Sequence, residues 1–246
     1  MKSPQNTLRL LALVATTCVA GLTPALRAQL VTYDFSSETT PAAPTSTSAN
    51  VEATSVAWNG LSSGLYGVAY QAGGQAYARF DSLGTTFDEN KFLSFTVTAA
   101  EGHVLNLSSL TISFGGNNTH ASVARTAYAR VRTDAESSPF STDLSINPGS
   151  VTTAAVSIPA NTTTSSIVYE SLTIDLSDIA YQSVSSVTFR IYGYASASAT
   201  NANWRVGDIT LNGAISAIPE PASGACLAGG VALAAMAGAR RRRLAR

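Results

Sequence analysis

Two stretches alternate so cleanly between apolar and polar side chains that they constrain the fold more than any other feature. In "KFLSFTVTA" (residues 91–99), Leu93, Phe95 and Val97 point one way while Phe92, Ser94, Thr96 and Thr98 point the other. In "SSVTFRIYGYAS" (residues 185–196), Val187, Phe189 and Ile191 share a face, opposite Thr188, Arg190 and Tyr192. A period of two belongs to a strand with one face on a core. Eight further short runs rich in β-branched or aromatic residues read as strands: 30–35, 51–58, 76–80, 108–116, 122–133, 151–159, 168–176 and 203–215. Gly-, Pro- and Asn-rich turns such as "AGGQ", "GGNNTH", "NPGS" and "PANTTTSS" separate them. No helical period or internal repeat competes, so the chain is expected to be all-β, an antiparallel β-sandwich. Residues 36–50, "SSETTPAAPTSTSAN", are polar and proline-rich and are expected to form a long loop.

Charge and cysteine placement narrow the function. Residues 29–218 hold seven basic and fourteen acidic side chains, whereas the full 246-residue chain sums to zero. Clustered positive charge is what phosphate contacts require, so nucleic acid is excluded as a partner. Cys18 and Cys226 lie in the two end segments. The middle therefore has no disulfide and no thiol nucleophile or ligand, and at its length needs no staple.

The ends differ from the middle. Lys2 and Arg9 precede an apolar run at residues 10–22, and small residues lead to Ala28, the order of a secretory signal peptide over residues 1–28. Residues 222–239 carry no charge and would span about 27 Å as a helix, close to the thickness of a hydrocarbon core. Arg240, Arg241, Arg242 and Arg243 follow as a transmembrane stop, expected to remain cytoplasmic. The domain between would lie outside the cytoplasm. Pro219, Glu220 and Pro221 resist helix and keep an extended segment above that span.

"IPEPAS", a small-residue apolar helix and "RRRR", in that order, resemble the PEP-CTERM protein-sorting signal of Gram-negative bacteria. The resemblance implies that Pro219, Glu220 and Pro221 are the recognition triplet. It also implies that an exosortase, a membrane-embedded cysteine protease of transpeptidase type, removes the tail during surface sorting. The expected organisation is a signal peptide at 1–28, a β-sandwich at 29–217 and a sorting signal at 218–246. The expected route runs from an inner-membrane-anchored precursor to the cell surface or extracellular space. The order of strand-like segments up to "NWRVGDITLNGAI" is similar to the extracellular sandwich of many such proteins, which implies a jelly-roll or galactose-binding-like module. Gly207-Asp208 stands where that likeness leads one to expect an Asp-Asn pair.

The chemistry-bearing residues are sparse. His103 and His120 sit in turn-like contexts, and no spacing offers the three or four convergent ligands of a zinc site. Serines abound without a nucleophile elbow. Asp81, Asp88, Glu89, Asp134, Glu136, Asp175 and Asp178 read as solvated turn acids rather than as a glycosidase pair. No catalytic residue and no metal ligand is therefore assigned. Structural calcium is the one cofactor weighed, because Asp34 and Asp208 would meet if the ends of the domain lie together. Trp58, Tyr66, Tyr70, Tyr77, Tyr128, Tyr192, Tyr194 and Trp204 are available for a sugar platform, although most are expected in the core. The expected role is structural or adhesive, linked to exopolysaccharide in a biofilm. A carbohydrate-binding module is the first alternative and a glycoside-active enzyme the second.

Overall fold

The computed structural model describes residues 28–35, 42–61, 63–66, 75–135, 139–147, 150–162 and 167–218. In chain order the strands are β1 (Ala28–Tyr33), β2 (Ser46–Thr47), β3 (Val51–Ala53), β4 (Ala57–Asn59), β5 (Ser63–Tyr66), β6 (Gln75–Arg79) and β7 (Phe92–Ala99). They continue with β8 (His103–Asn118), β9 (Arg125–Thr133), β10 (Ile146–Asn147), β11 (Ala154–Ile158), β12 (Val168–Asp175), β13 (Ser186–Ala195) and β14 (Ala202–Ala217). The one α-helix among the described residues is a single turn, α1 (Phe80–Leu83).

Two antiparallel sheets face each other, so the protein is the expected antiparallel β-sandwich. One runs β10-β12-β8-β14-β1-β2, with β6 paired to β14 and β5 to β6; the other runs β11-β9-β13-β7-β3, with β4 paired to β7. From β7 to β14 successive strands alternate between the sheets, the crossing habit of a jelly roll. The alternation read from sequence sets the inner faces. Leu93, Phe95 and Val97 of β7 and Val187, Phe189 and Ile191 of β13 are all buried. Phe95 stacks on Phe189 at 5.3 Å and meets Tyr33 of the opposite sheet at 5.1 Å.

At one end of the core the packing changes character. The inner face of β9 and β13 carries only Ala127, Ala129, Gly193 and Ala195, paired as Gly193↔Ala129 and Ala195↔Ala127. Trp204 of β14, fully buried, fills the space above them. Its indole lies so close to β13 that a Cβ on Gly193 would stand 2.6 Å from Trp204 Cε2. Its Nε1 crosses the core to donate to the Tyr128 carbonyl at 3.2 Å. One residue thus joins the sheets by shape and by a hydrogen bond that a buried indole N–H needs.

Several expectations are corrected. The segment 36–50 is not simply a loop: Thr32↔Ser46 and Val31↔Thr47 add β2 to β1, and Ala42, buried, bridges to Val56. A small apolar side chain and the carbonyls of Thr32 and Leu30 on β1, which accept from the Thr45 and Ser48 amides, outweigh the polar composition. Residues 51–58 form two strands rather than one, because Val56 turns into the core while Thr54 N bonds Thr96 O at 2.9 Å. Phe80 closes the strand at 76–80 early by starting α1. The signal helix, the transmembrane helix, Pro219, Glu220, Pro221 and Arg240, Arg241, Arg242 and Arg243 lie outside the described residues. Among the described residues no helix is long and apolar enough to cross a membrane.

The Trp204 seat generates a direct expectation. Gly193→Ala should cost about 1–3 kcal/mol of stability in chemical denaturation. Trp204→Phe should then cost less in that background than in the wild-type protein, because both changes act on one contact. Wild-type stability for Gly193→Ala would contradict the seat.

Candidate functional site

The inward Gly193 sits between Tyr192 and Tyr194 on β13, and the outer face there is as crowded as the inner is bare. Cross-strand register sets the rows Tyr194↔Tyr128, Tyr192↔Arg130 and Arg190↔Arg132. On β7, Phe92 stands beside Tyr192. Aromatics and guanidinium groups therefore alternate over the outer surface of the six-stranded sheet.

One half of that face is roofed by two loops. Phe87 packs between Arg130 and Arg132, with the guanidinium carbons 4.5 and 4.8 Å from its ring centre. Arg190 lies 3.6 Å from the Phe140 ring and 4.4 Å from Phe92. Asp143 accepts from Arg130 Nη1 at 2.9 Å and from Arg132 Nε at 2.5 Å. Arg132 Nη1 also donates to Glu89 at 2.8 Å and to the Phe140 carbonyl at 3.0 Å. Burial alone lowers the Arg132 pKa, but its bonds to Asp143 and Glu89 outweigh that and raise it, so the cation persists. Pairing with hydrogen bonds on both sides is what lets a charge sit so deep.

The other half is open. Tyr128 and Tyr194 stack at 4.7 Å with an interplanar angle of 17°, and both are half-exposed. Arg130 and Phe87 flank Tyr194 at 5.7 and 6.3 Å. Trp204 belongs to the core, Tyr192 is buried on the outer face under the roof, and Trp58 is half-buried. The side chains of Tyr66 and Tyr70 lie outside the described residues. The stacked pair could not be singled out from sequence, because eight aromatics competed. The "YGY" of β13 is the signal that marks it in retrospect.

A second buried guanidinium lies on the outer side of the other sheet. Arg205 is fully enclosed, its Nε donating to Asn117 Oδ1 at 2.8 Å and its cation 5.6 Å from the Tyr77 ring. Burial raises the neighbouring Tyr169 phenol, with Arg205 pulling it down and Asp208 up.

The acids divide into structural partnerships. A cleft of about 500 Å³ is lined by Asp143, Asp175, Asp178 and Tyr181. Asp143 holds the arginines, Asp175 accepts from Ser177 N at 2.9 Å, and Asp178 caps the 3-10 turn at Ile179–Tyr181 through Ala180 N at 3.0 Å. Elsewhere Asp81 pairs with Arg79, Asp88 accepts from Asn90 N, and Asp134 accepts from Thr188 N at 2.7 Å. Glu136 lies outside the described residues. His103 contacts the Glu101 carbonyl at 3.1 Å, and His120 Nδ1 accepts from the Ser122 and Val123 amides.

Asp34 and Asp208 do come together. Tyr33 pairs with Ile209, and a register shift between Val206 and Ile209 places Gly207-Asp208 in a bulge. Partial desolvation first, and then the Asp34 carboxylate, raises the pKa of Asp208, although the residue stays exposed at the surface. Asp34 Oδ1 accepts from Thr45 Oγ1 at 2.6 Å. Among the described residues no group of three or more His, Cys, Asp and Glu side chains converges as a metal site.

No family model and no curated protein matches the chain. Solved structures share a loose likeness. The CBM22-1 xylan-binding domain of Paenibacillus barcinonensis is 11% identical, with 76% of this chain and 95% of that one covered, at a TM-score of 0.34. The K3 cleaved adhesin domain of Lys-gingipain from Porphyromonas gingivalis is 12% identical, covering 75% and 99%, at 0.36. A putative sugar binding protein from Bacteroides thetaiotaomicron is 12% identical, covering 65% and 82%, at 0.35. The two-sheet architecture of the present chain stands on its own strand pairing.

A raised carboxyl pKa favours the folded state at low pH, and that advantage is lost as pH rises through the raised value. Asp208→Asn should therefore melt above wild type at about pH 7, and the gap should close by about pH 3, below the ordinary carboxylate range. A D208N variant that melts below wild type at neutral pH would contradict the crowding of Asp34 and Asp208.

Proposed function

We propose that the chain is an exported, non-catalytic β-sandwich delivered to the cell surface by the PEP-CTERM route, where it serves a structural or adhesive role in exopolysaccharide. The observation that carries this reading is where the sandwich meets its ends. β1 opens at Ala28, next to the expected signal-peptide cleavage, and pairs with β14, which closes at Ala217. Ile218 makes the last described backbone bond, donating to Gly102 O at 2.7 Å, one residue before Pro219. The expected cleavages would fall at the first residue of β1 and just beyond β14, two paired strands of one sheet, and losing either end would leave the core whole. An exosortase would meet Pro219, Glu220 and Pro221 at the rim of a folded domain, with the inner membrane holding the tail until cleavage. The acidic charge of the domain suits a protein that stays soluble outside the cell.

The non-catalytic reading is supported by the occupation of the carboxylates. Catalysis by a pair of acids needs groups free to give and take protons, and those in the cleft brace arginines, a turn and a helical cap. Carbohydrate binding is the favoured second reading, because the half-exposed Tyr128–Tyr194 stack is an apolar surface with polar tips.

Intact mass of the protein released from a host with active exosortase tests the route. The residues beyond the PEP segment should be absent, and Glu220→Ala should retain them. Released wild-type chain still carrying Arg246 would overturn the sorting proposal.

A further inference from the structure

Resting on the carbohydrate reading, we propose that Tyr128, backed by Tyr194 and floored by Ala155, is the binding site for a chain of neutral sugars. Tyr128 uses one ring face against Tyr194. Its other side faces β11, where the register partner is Ala155, an exposed methyl group. Thr126 and Ser157 form the next pair, so the shelf beside the ring is built from small side chains. β11 is the edge of its sheet, so the shelf is open at its outer side. A pyranose presents C–H groups on its face and hydroxyls around its rim, and this site offers the complement. The ring supplies an apolar wall. The hydroxyls of Tyr128 and Tyr194 make no hydrogen bond to another described residue and are available to sugar hydroxyls.

Preorganisation separates this pair from ordinary surface tyrosines. The Tyr128 carbonyl is held by Trp204 Nε1, and Tyr194 follows the glycine on which that indole rests. Arg130 and Phe87 confine Tyr194 from the side. Little motion remains to be lost on binding, which is where rigid aromatic contacts gain affinity. Charge selects the class of glycan. Arg130, the guanidinium against Tyr194, is committed to Asp143, and the domain is acidic overall, so a polyuronate meets net repulsion.

The test uses the full chain purified in mild detergent, titrated with soluble β-glucan, dextran, galactomannan and the polyuronate alginate. At least one neutral polymer should bind more tightly than alginate. Tyr128→Ala and Ala155→Arg, the latter filling the shelf against the free side of the Tyr128 ring, should each weaken that binding about tenfold or more, the scale of one lost stacking partner. Both variants should keep the wild-type melting profile. Undiminished binding by Ala155→Arg overturns this site while leaving the carbohydrate reading intact. Preference for alginate overturns the neutral class. Binding of none of the four polymers overturns the site and the carbohydrate reading together, with the sorting proposal untouched.

Discussion

The contact between the Trp204 indole and the bare backbone at Gly193 fixes how the two sheets stand relative to each other. A tryptophan reaching across a sandwich core needs depth, and this one finds it because β9 and β13 present alanine and glycine where β7 presents leucine and phenylalanine. The indole N–H would be costly to bury without a partner, and the Tyr128 carbonyl provides one. That bond also ties β14, at the centre of one sheet, to β9 in the other. The remaining core, from Phe95 on Phe189 to Tyr33 beneath them, continues the same layer with ordinary aromatic packing.

The outer face follows from the inner one. In a strand, the residues on either side of an inward glycine must point outward, so seating Trp204 at Gly193 turns Tyr192 and Tyr194 to the opposite surface. Tyr192 then becomes the floor for Arg130, Arg132 and Phe87, and Asp143 and Glu89 neutralise the arginines as the loops close over them. Tyr194 lies beyond the roof and pairs with Tyr128. The roofed half is a cemented scaffold, and the open half is what the scaffold presents. Core packing and the candidate binding surface are two sides of one strand.

How much of this was legible in the sequence depends on the range of the interaction. The alternation at Leu93–Phe95–Val97 and Val187–Phe189–Ile191 is local and named the core faces of β7 and β13 correctly. Runs of β-branched and aromatic residues marked β9, β11, β12 and β14 within about three residues at their ends, and β8 without residues 103–107. The short strand β2 and the buried Ala42 were hidden in a polar segment, since edge pairing to β1 depends on a partner distant in the chain. The seat was equally hidden, because Gly193 and Trp204 belong to facing sheets. The Asp34–Asp208 approach was foreseen from the position of the two strands, whereas the bulge that aims Asp208 was not. Asp143, which braces two arginines, carried no signal at all beyond its charge. The proposed sorting signal rests on motif order, and residues 219–246 lie outside the described structure.

The chain has two tryptophans, which makes the central contact measurable in isolation. In Trp58→Phe the only indole left is Trp204. Its fluorescence should be blue-shifted and inaccessible to acrylamide until the whole domain unfolds, because the ring is fully enclosed against β13. Red-shifted emission quenched in the folded protein would show that Trp204 is not seated on Gly193, and the link between core and outer face would fall with it.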